Sequence, residues 1–258
     1  MQWFLLVPLG IAVGLALGAL GGGGSILAVP ALVYGAGLSP RQATTTSLVI
    51  VGVASLAAAV GHWRAGNVRV GAGLWFGLAG VVGSLVGSRL NRAVDPQVLL
   101  LAFSGVMVLV AWRMWRSARS RPDAGRTPDV VLTRSRVVLG VVVAGTVVGF
   151  LTGFFGVGGG FVIVPALVLV LGFDMPVAVG TSLLVIALNS AVALAARVAS
   201  TGIDWHVALP FTLAGLVGAL AGGRLGRRAP AGTLARWFAV LLVVVAVYTM
   251  ARSLVALS

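Results

Sequence analysis

The stretch Gly21-Gly22-Gly23-Gly24-Ser25-Ile26-Leu27-Ala28-Val29-Pro30 returns 135 residues later as Gly156-Val157-Gly158-Gly159-Gly160-Phe161-Val162-Ile163-Val164-Pro165. At that single offset, residues 18–51 and 153–186 align without a gap and share 14 of 34 positions. The same offset lays 78–90 on 213–225 with nine of 13 positions identical. Apolar bias inflates such identity. It does not hold one offset across two separated blocks, nor repeat Gly, Pro, Thr-Ser and Arg in register. The chain is a duplicated unit.

The medium of that unit follows from composition. Of 258 residues, 59% are apolar and 9% charged, and mean hydropathy is +1.11. A soluble domain carries roughly 25% charged residues, so most side chains here face lipid or other helices. The 37 glycines suit helices that pack backbone to backbone. The charges are unmixed: 18 Arg without Lys, five Asp without Glu, net +13. Arginine of this kind collects in cytoplasmic loops against anionic headgroups. No basic stripe interleaved with aromatics points to nucleic acid.

Ten apolar runs are expected as helices. The first copy holds 3–20, 25–38, 43–61, 70–87 and 98–112; the second holds 137–155, 161–173, 178–196, 207–222 and 234–250. Crossing a bilayer takes about 20 residues. The runs 25–38 and 161–173 fall short and are expected as short spans or half-helices. The organisation is therefore a first transmembrane repeat over 1–112, an Arg-rich cytoplasmic linker over 113–136 and a second repeat over 137–258. The N-terminus has no basic residue before Arg41 and is expected as a retained span, not a cleaved signal.

Five spans per copy is an odd number, so the second copy inserts upside down. Four spans, with the short runs re-entrant, give parallel copies. With the linker in the cytoplasm, the five-span arrangement puts 13 Arg inside and five outside, against 11 and seven for four spans. The expectation is an all-α, polytopic bundle of about ten membrane segments, two tandem inverted repeats, with both termini outside.

Each glycine cluster interrupts a helix, since each Gly costs about 1 kcal/mol against Ala there. Broken backbone at membrane depth is tolerated inside protein or beside a water-filled cavity. The helix after each break presents free N–H groups and a positive dipole end, which suit a small anion. Candidate binding residues are Gly22, Gly23, Gly24 and Ser25 with Gly158, Gly159 and Gly160, followed by the structural Pro30 and Pro165. The competing reading is that the glycines serve close helix packing.

Two hydroxyl pairs also repeat, Thr46-Ser47 and Thr181-Ser182, each near the start of an apolar run. They are read both as caps of free N–H groups and as donors to an oxyanion. Asn189 is either pathway-lining or helix glue. His62 and Arg197 occupy equivalent positions and are candidate gates or ordinary interfacial flanks.

Several chemistries are excluded or left without residues. No Cys means no disulfide, thiol catalysis or zinc–thiolate site. Two His without nearby carboxylates offer no metal site, and no cofactor is expected. All five Asp fall in expected loops, so no buried acid serves as a proton relay. Neither glycine cluster is followed by Lys-Ser or Lys-Thr, so neither is a Walker-type phosphate loop.

At these residues the sequence resembles the TauE/SafE family of sulfite exporters. The resemblance rests on residues 21–25 with Pro30, Thr46-Ser47-Leu48, their copies 156–160 with Pro165 and Thr181-Ser182-Leu183, the loops Gly66-Asn67-Val68 and Gly202-Ile203-Asp204-Trp205, and the spans ending at Arg89 and Arg224. It implies a multi-pass transporter of the bacterial plasma membrane, often an exporter, of sulfite, sulfonates or other sulfur-containing or organic anions; the two inverted copies are expected to work as a secondary transporter by alternating access. Its partners are then a small anion and membrane lipid, with a homo-oligomer left open. Two readings from other classes are a non-transporting membrane scaffold and an intramembrane serine protease using Ser25 with His62. The scaffold has no need of paired helix breaks. The protease is opposed by Gly160 and Arg197 in the matching places.

Overall fold

The computed structural model describes residues 3–91, 93–94, 96–120, 134–155, 160–197 and 203–257. Among them the chain forms ten α-helices and no strand. The first copy contributes α1 (Trp3–Leu20), α2 (Gly23–Pro30), α3 (Pro40–Arg64), α4 (Val70–Asn91) and α5 (Pro96–Ser120). The second contributes α6 (Arg134–Phe155), α7 (Gly160–Leu169), α8 (Met175–Arg197), α9 (Trp205–Arg228) and α10 (Ala231–Leu257). Every expected run is a helix. Six are long and apolar enough to cross a membrane, within α3, α4, α6, α8, α9 and α10. The expected short segments are short: the apolar helices Gly23–Gly35 and Gly160–Leu169. Most of the linker, residues 121–133, lies outside the described residues.

Local chemistry sets the departures from regular helix. Pro30 has no N–H to close the ladder, and the next turn, Ala31–Gly35, widens to a π-helix. The break in the first copy is confined to Gly21 and Gly22; Gly23 and Gly24 already belong to α2. Gly21 holds φ 70°, a left-handed turn that a glycine adopts without strain.

Two tight helix pairs form across the copies. Along α1 and α9, a Cβ on Gly14 would strike the Gly215 carbonyl, and one on Gly18 the Ala219 carbonyl. Along α6 and α4, a Cβ on Gly149 would strike the Gly80 carbonyl, and one on Gly153 the Ser84 carbonyl. The second set is the first shifted by 135 residues, and both pairs run parallel. In lipid, where apolar surface gains nothing by burial, such small-residue crossings are what hold helices together.

α3 and α8 cross at the centre. Gly52 faces Ser190 and Gly180 faces His62, so the two helices run antiparallel. Ser104 on α5 and Thr249 on α10 share a hydrogen bond of 2.8 Å. Leu78 and Val82 on α4, and their counterparts Leu213 and Val217 on α9, stand exposed on an outer apolar face, as lipid contact demands.

Candidate functional site

The two copies meet where their helices begin after the breaks. Gly22 lies so close to Gly160 that a Cβ on it would run into the Gly160 carbonyl. A Cβ on Gly160 would in turn strike Ser25 Oγ and stand 3.0 Å from Ile186 Cδ1. Ser25 and Gly160 are separated by 135 in sequence, so each is the other's counterpart. Gly21 faces Ser182, whose Oγ would lie 2.5 Å from a Cβ there. The first residues of α2 and α7, from opposite copies, thus share one spot with Ser182 of α8.

The hydroxyls there have distinct environments. Ser25 Oγ donates to the Gly22 carbonyl at 2.7 Å and is half-buried. Ser182 Oγ donates to the Val179 carbonyl, and Ser47 Oγ to the Thr44 carbonyl, each at 2.8 Å. Thr181 Oγ1 accepts from the backbone N–H of Arg69 at 3.1 Å. Thr46 is fully buried and its Oγ1 has no partner.

These positions correct the capping reading. The N-cap of α3 is Ser39, which accepts from the Gln42 N–H, and α8 begins at Met175. Thr46, Ser47, Thr181 and Ser182 therefore lie a turn or more inside their helices, where no N–H is free for them to cap. Pro30 ends α2, and Pro165 sits buried inside α7. Of the remaining glycine candidates, Gly23 and Gly24 open α2, while Gly158 and Gly159 lie outside the described residues.

His62 is no interfacial flank. It is 1% exposed, and its Nε2 donates to the Gly18 carbonyl at 3.4 Å; Nδ1 has no partner. The Arg227 guanidinium rests beside it: a Cβ on Gly61 would stand 3.1 Å from Nη1, and one on Gly223 3.4 Å. In the sequence Arg227 counts only among the 13 arginines expected inside. No signal in the sequence joins it to His62; the register shows only that Arg92 and Arg197 occupy the matching places. The ends of α3 and α9 are thereby neighbours. The side chain of Arg197 lies outside the described residues. Asn189 is half-buried near Gly77, whose Cβ would stand 3.8 Å from Oδ1.

Ser25 and His62 each bond to a backbone carbonyl of α1 or its following turn, and no hydrogen bond joins them as a hydrolytic pair would require. Asp174 precedes α8, and Asp204 caps α9 by accepting from the His206 N–H. Among the described residues no group of three His, Asp or Glu is placed to hold a metal. Among the described residues the arrangement brings together helix starts and hydroxyls, of which Ser25, Ser47 and Ser182 donate to backbone carbonyls in this state.

The family model described as sulfite exporter TauE/SafE matches residues 6–249. A probable membrane transporter protein of Xylella fastidiosa (strain 9a5c) is 35% identical over 254 residues, covering 96% of each chain. The probable membrane transporter protein YunE of Bacillus subtilis is 26% identical over 263 residues, 95% of this chain and 96% of that one. The probable membrane transporter protein MJ0441 of Methanocaldococcus jannaschii is 29% identical over 176 residues, 64% of this chain and 63% of that one. No solved structure matches the chain.

Proposed function

The chain belongs to the sulfite exporter TauE/SafE family and is a multi-pass membrane transporter of the plasma membrane, and from that premise we propose that it carries a small anion, sulfite or a sulfonate in the first place, outward by alternating access between its two copies. The observation that carries the reading is the meeting of Gly22 and Ser25 with Gly160 and Ser182. Two helix starts from opposite copies lie together there, and a helix start carries unpaired N–H groups and a positive dipole end. Such ends bind anions without a buried counter-charge, and in transporters with internal repeats they mark the substrate site. Gly23 and Gly24 supply the backbone donors of the first copy in this reading. Ser25, Ser47, Thr46, Thr181 and Ser182 supply hydroxyls, and Asn189 an amide.

The copies are inverted in this proposal. Two facts favour it: α3 and its counterpart α8 run antiparallel, and the Arg227 end of α9 lies beside the His62 end of α3. Parallel copies would put those two ends on opposite faces of the membrane. Arg64, Arg69, Arg224, Arg227 and Arg228 then gather on the cytoplasmic face, as the positive-inside rule requires.

The site is tested by protection. The chain has no native Cys, so Ser25→Cys supplies a single thiol. A small thiol reagent should modify it in the purified protein, and sulfite analogues inert to the reagent should slow the reaction. A thiol at position 25 that reacts at the same rate with every small anion tested speaks against the site.

A further inference from the structure

A duplicated sequence leads one to expect equivalent surroundings for equivalent residues, and along three helices the surroundings differ in one direction. Ala54, Ala58 and Ala59 on α3 are 1%, 2% and 5% exposed; their counterparts Asn189, Ala193 and Leu194 on α8 are only half-buried. Ala219 and Gly223 on α9 are buried; Ser84 on α4 is half-buried and Ser88 exposed. Leu17 and Gly18 on α1 are buried; Thr152 and Gly153 on α6 are half-buried. The outer apolar stripe does not share the asymmetry, because Leu78 and Leu213, and Val82 and Val217, are exposed alike. The tight pairs do not share it either: a Cβ on Gly10 would stand 2.9 Å from Ala214 Cβ, and one on the matching Gly145 3.2 Å from Ala79 Cβ.

The difference therefore lies between the tight pairs and the central helices. The end halves of α3 and α9 close on one another, with His62, Arg227 and the Gly18 carbonyl at the seam. The end halves of α8 and α4 stand apart. The loop after α3 is seated as well, its Asn67 carbonyl against Gly180 and its Arg69 N–H on Thr181, whereas Thr46, the counterpart of Thr181, is buried with no partner.

We infer that the cleft between the end halves of α4, α6 and α8 is the water-filled entry to the anion site, caught open, and that the seam of α1, α3 and α9 is the same cleft shut. Its lining is chemically suited to the task. Ser84, Ser88, Thr152 and Asn189 present hydroxyls and an amide where the shut end has Ala219, Gly223, Leu17 and Ala54. Among the described side chains this lining is polar and uncharged, and such a lining passes a small anion without trapping it by a fixed cation. The opposite state is made by exchanging the two conformations, so that α8 closes on α4 as α3 closes on α9. This inference rests on the proposed transport, and with inverted copies the open cleft faces outside.

The experiment is thiol accessibility, which reads the cleft whether or not any anion moves. Thiols react as thiolates and so need water. Ala193→Cys and Ala58→Cys form one matched pair; Ser84→Cys and Ala219→Cys form a second in case one variant fails to fold. In right-side-out vesicles a membrane-impermeant maleimide should label positions 193 and 84, and in inside-out vesicles, where the opposite face is exposed, the same reagent should leave positions 58 and 219 unlabelled. Equal labelling within each pair overturns the inference. So does the absence of labelling at 193 and 84 in folded protein, since those positions would then face lipid. Labelling as expected in a protein that moves no anion would leave the cleft standing and sink the transport proposal alone.

Discussion

The backbone N–H of Arg69 donates to Thr181 Oγ1 at 3.1 Å, joining the loop after α3 in the first copy to α8 in the second. Thr46, which holds the matching place in the first copy, is buried with its hydroxyl unpartnered. One bond present and its counterpart missing distinguishes the two ends of a molecule whose sequence is duplicated.

The two threonines should respond differently to loss of the hydroxyl. Thr181→Val removes an acceptor in use and should cost about 1 kcal/mol of stability. Thr46→Val removes a hydroxyl with no partner and should shift stability by less than about 0.5 kcal/mol, while weakening anion transport. Thermal unfolding in detergent measures the first effect, and flux at matched reconstitution the second. Equal destabilisation by both variants would remove the distinction.

The tight pairs should be equally intolerant of bulk. Gly14→Val and Gly149→Val each drive a side chain into a partner carbonyl. Overpacking of this kind costs about 1–3 kcal/mol or more. The two variants should lower the unfolding temperature by similar amounts, because they damage equivalent crossings. A large drop in one and none in the other would contradict the shared geometry.

Inversion makes a labelling prediction. With five spans per copy, residue 200 lies outside and residue 232 inside. Ser200→Cys should react with an impermeant reagent in intact cells, and Gly232→Cys should react after permeabilisation alone. Strong external labelling at position 232 would defeat the inverted arrangement.

Much of the fold was readable from residues. The end of α1 at Leu20 and the starts of α4 and α7 follow from composition, because lipid imposes length and apolarity on each span. The start of α3 was misread by three residues. Pro40, Arg41 and Gln42 are poor span residues, so the apolar run begins after the helix does, and Thr46 looked like a cap when Ser39 is one. The π-helical turn after Pro30 was not legible, although the missing N–H of Pro30 was its cause. Of the candidate site, the matched glycines were visible as a repeat. The approach of Gly22 to Gly160 was not, because it depends on how two distant segments cross. Nor was the Arg227–His62 seam. The open and shut ends lay beyond reach for a further reason: a duplicated sequence by itself argues for symmetry, and the asymmetry belongs to one conformational state.

The central claim is that a small anion passes where the starts of α2 and α7 meet. The direct measurement is uptake of labelled sulfite into liposomes containing the purified chain, beside liposomes containing Gly160→Leu at the same density of folded protein. The side chain added at position 160 would press on Ser25 and Ile186. The account predicts saturable sulfite flux in the first and its loss in the second. Undiminished flux through Gly160→Leu, or no flux by the unaltered chain across sulfite, sulfonates and other small anions, would contradict it.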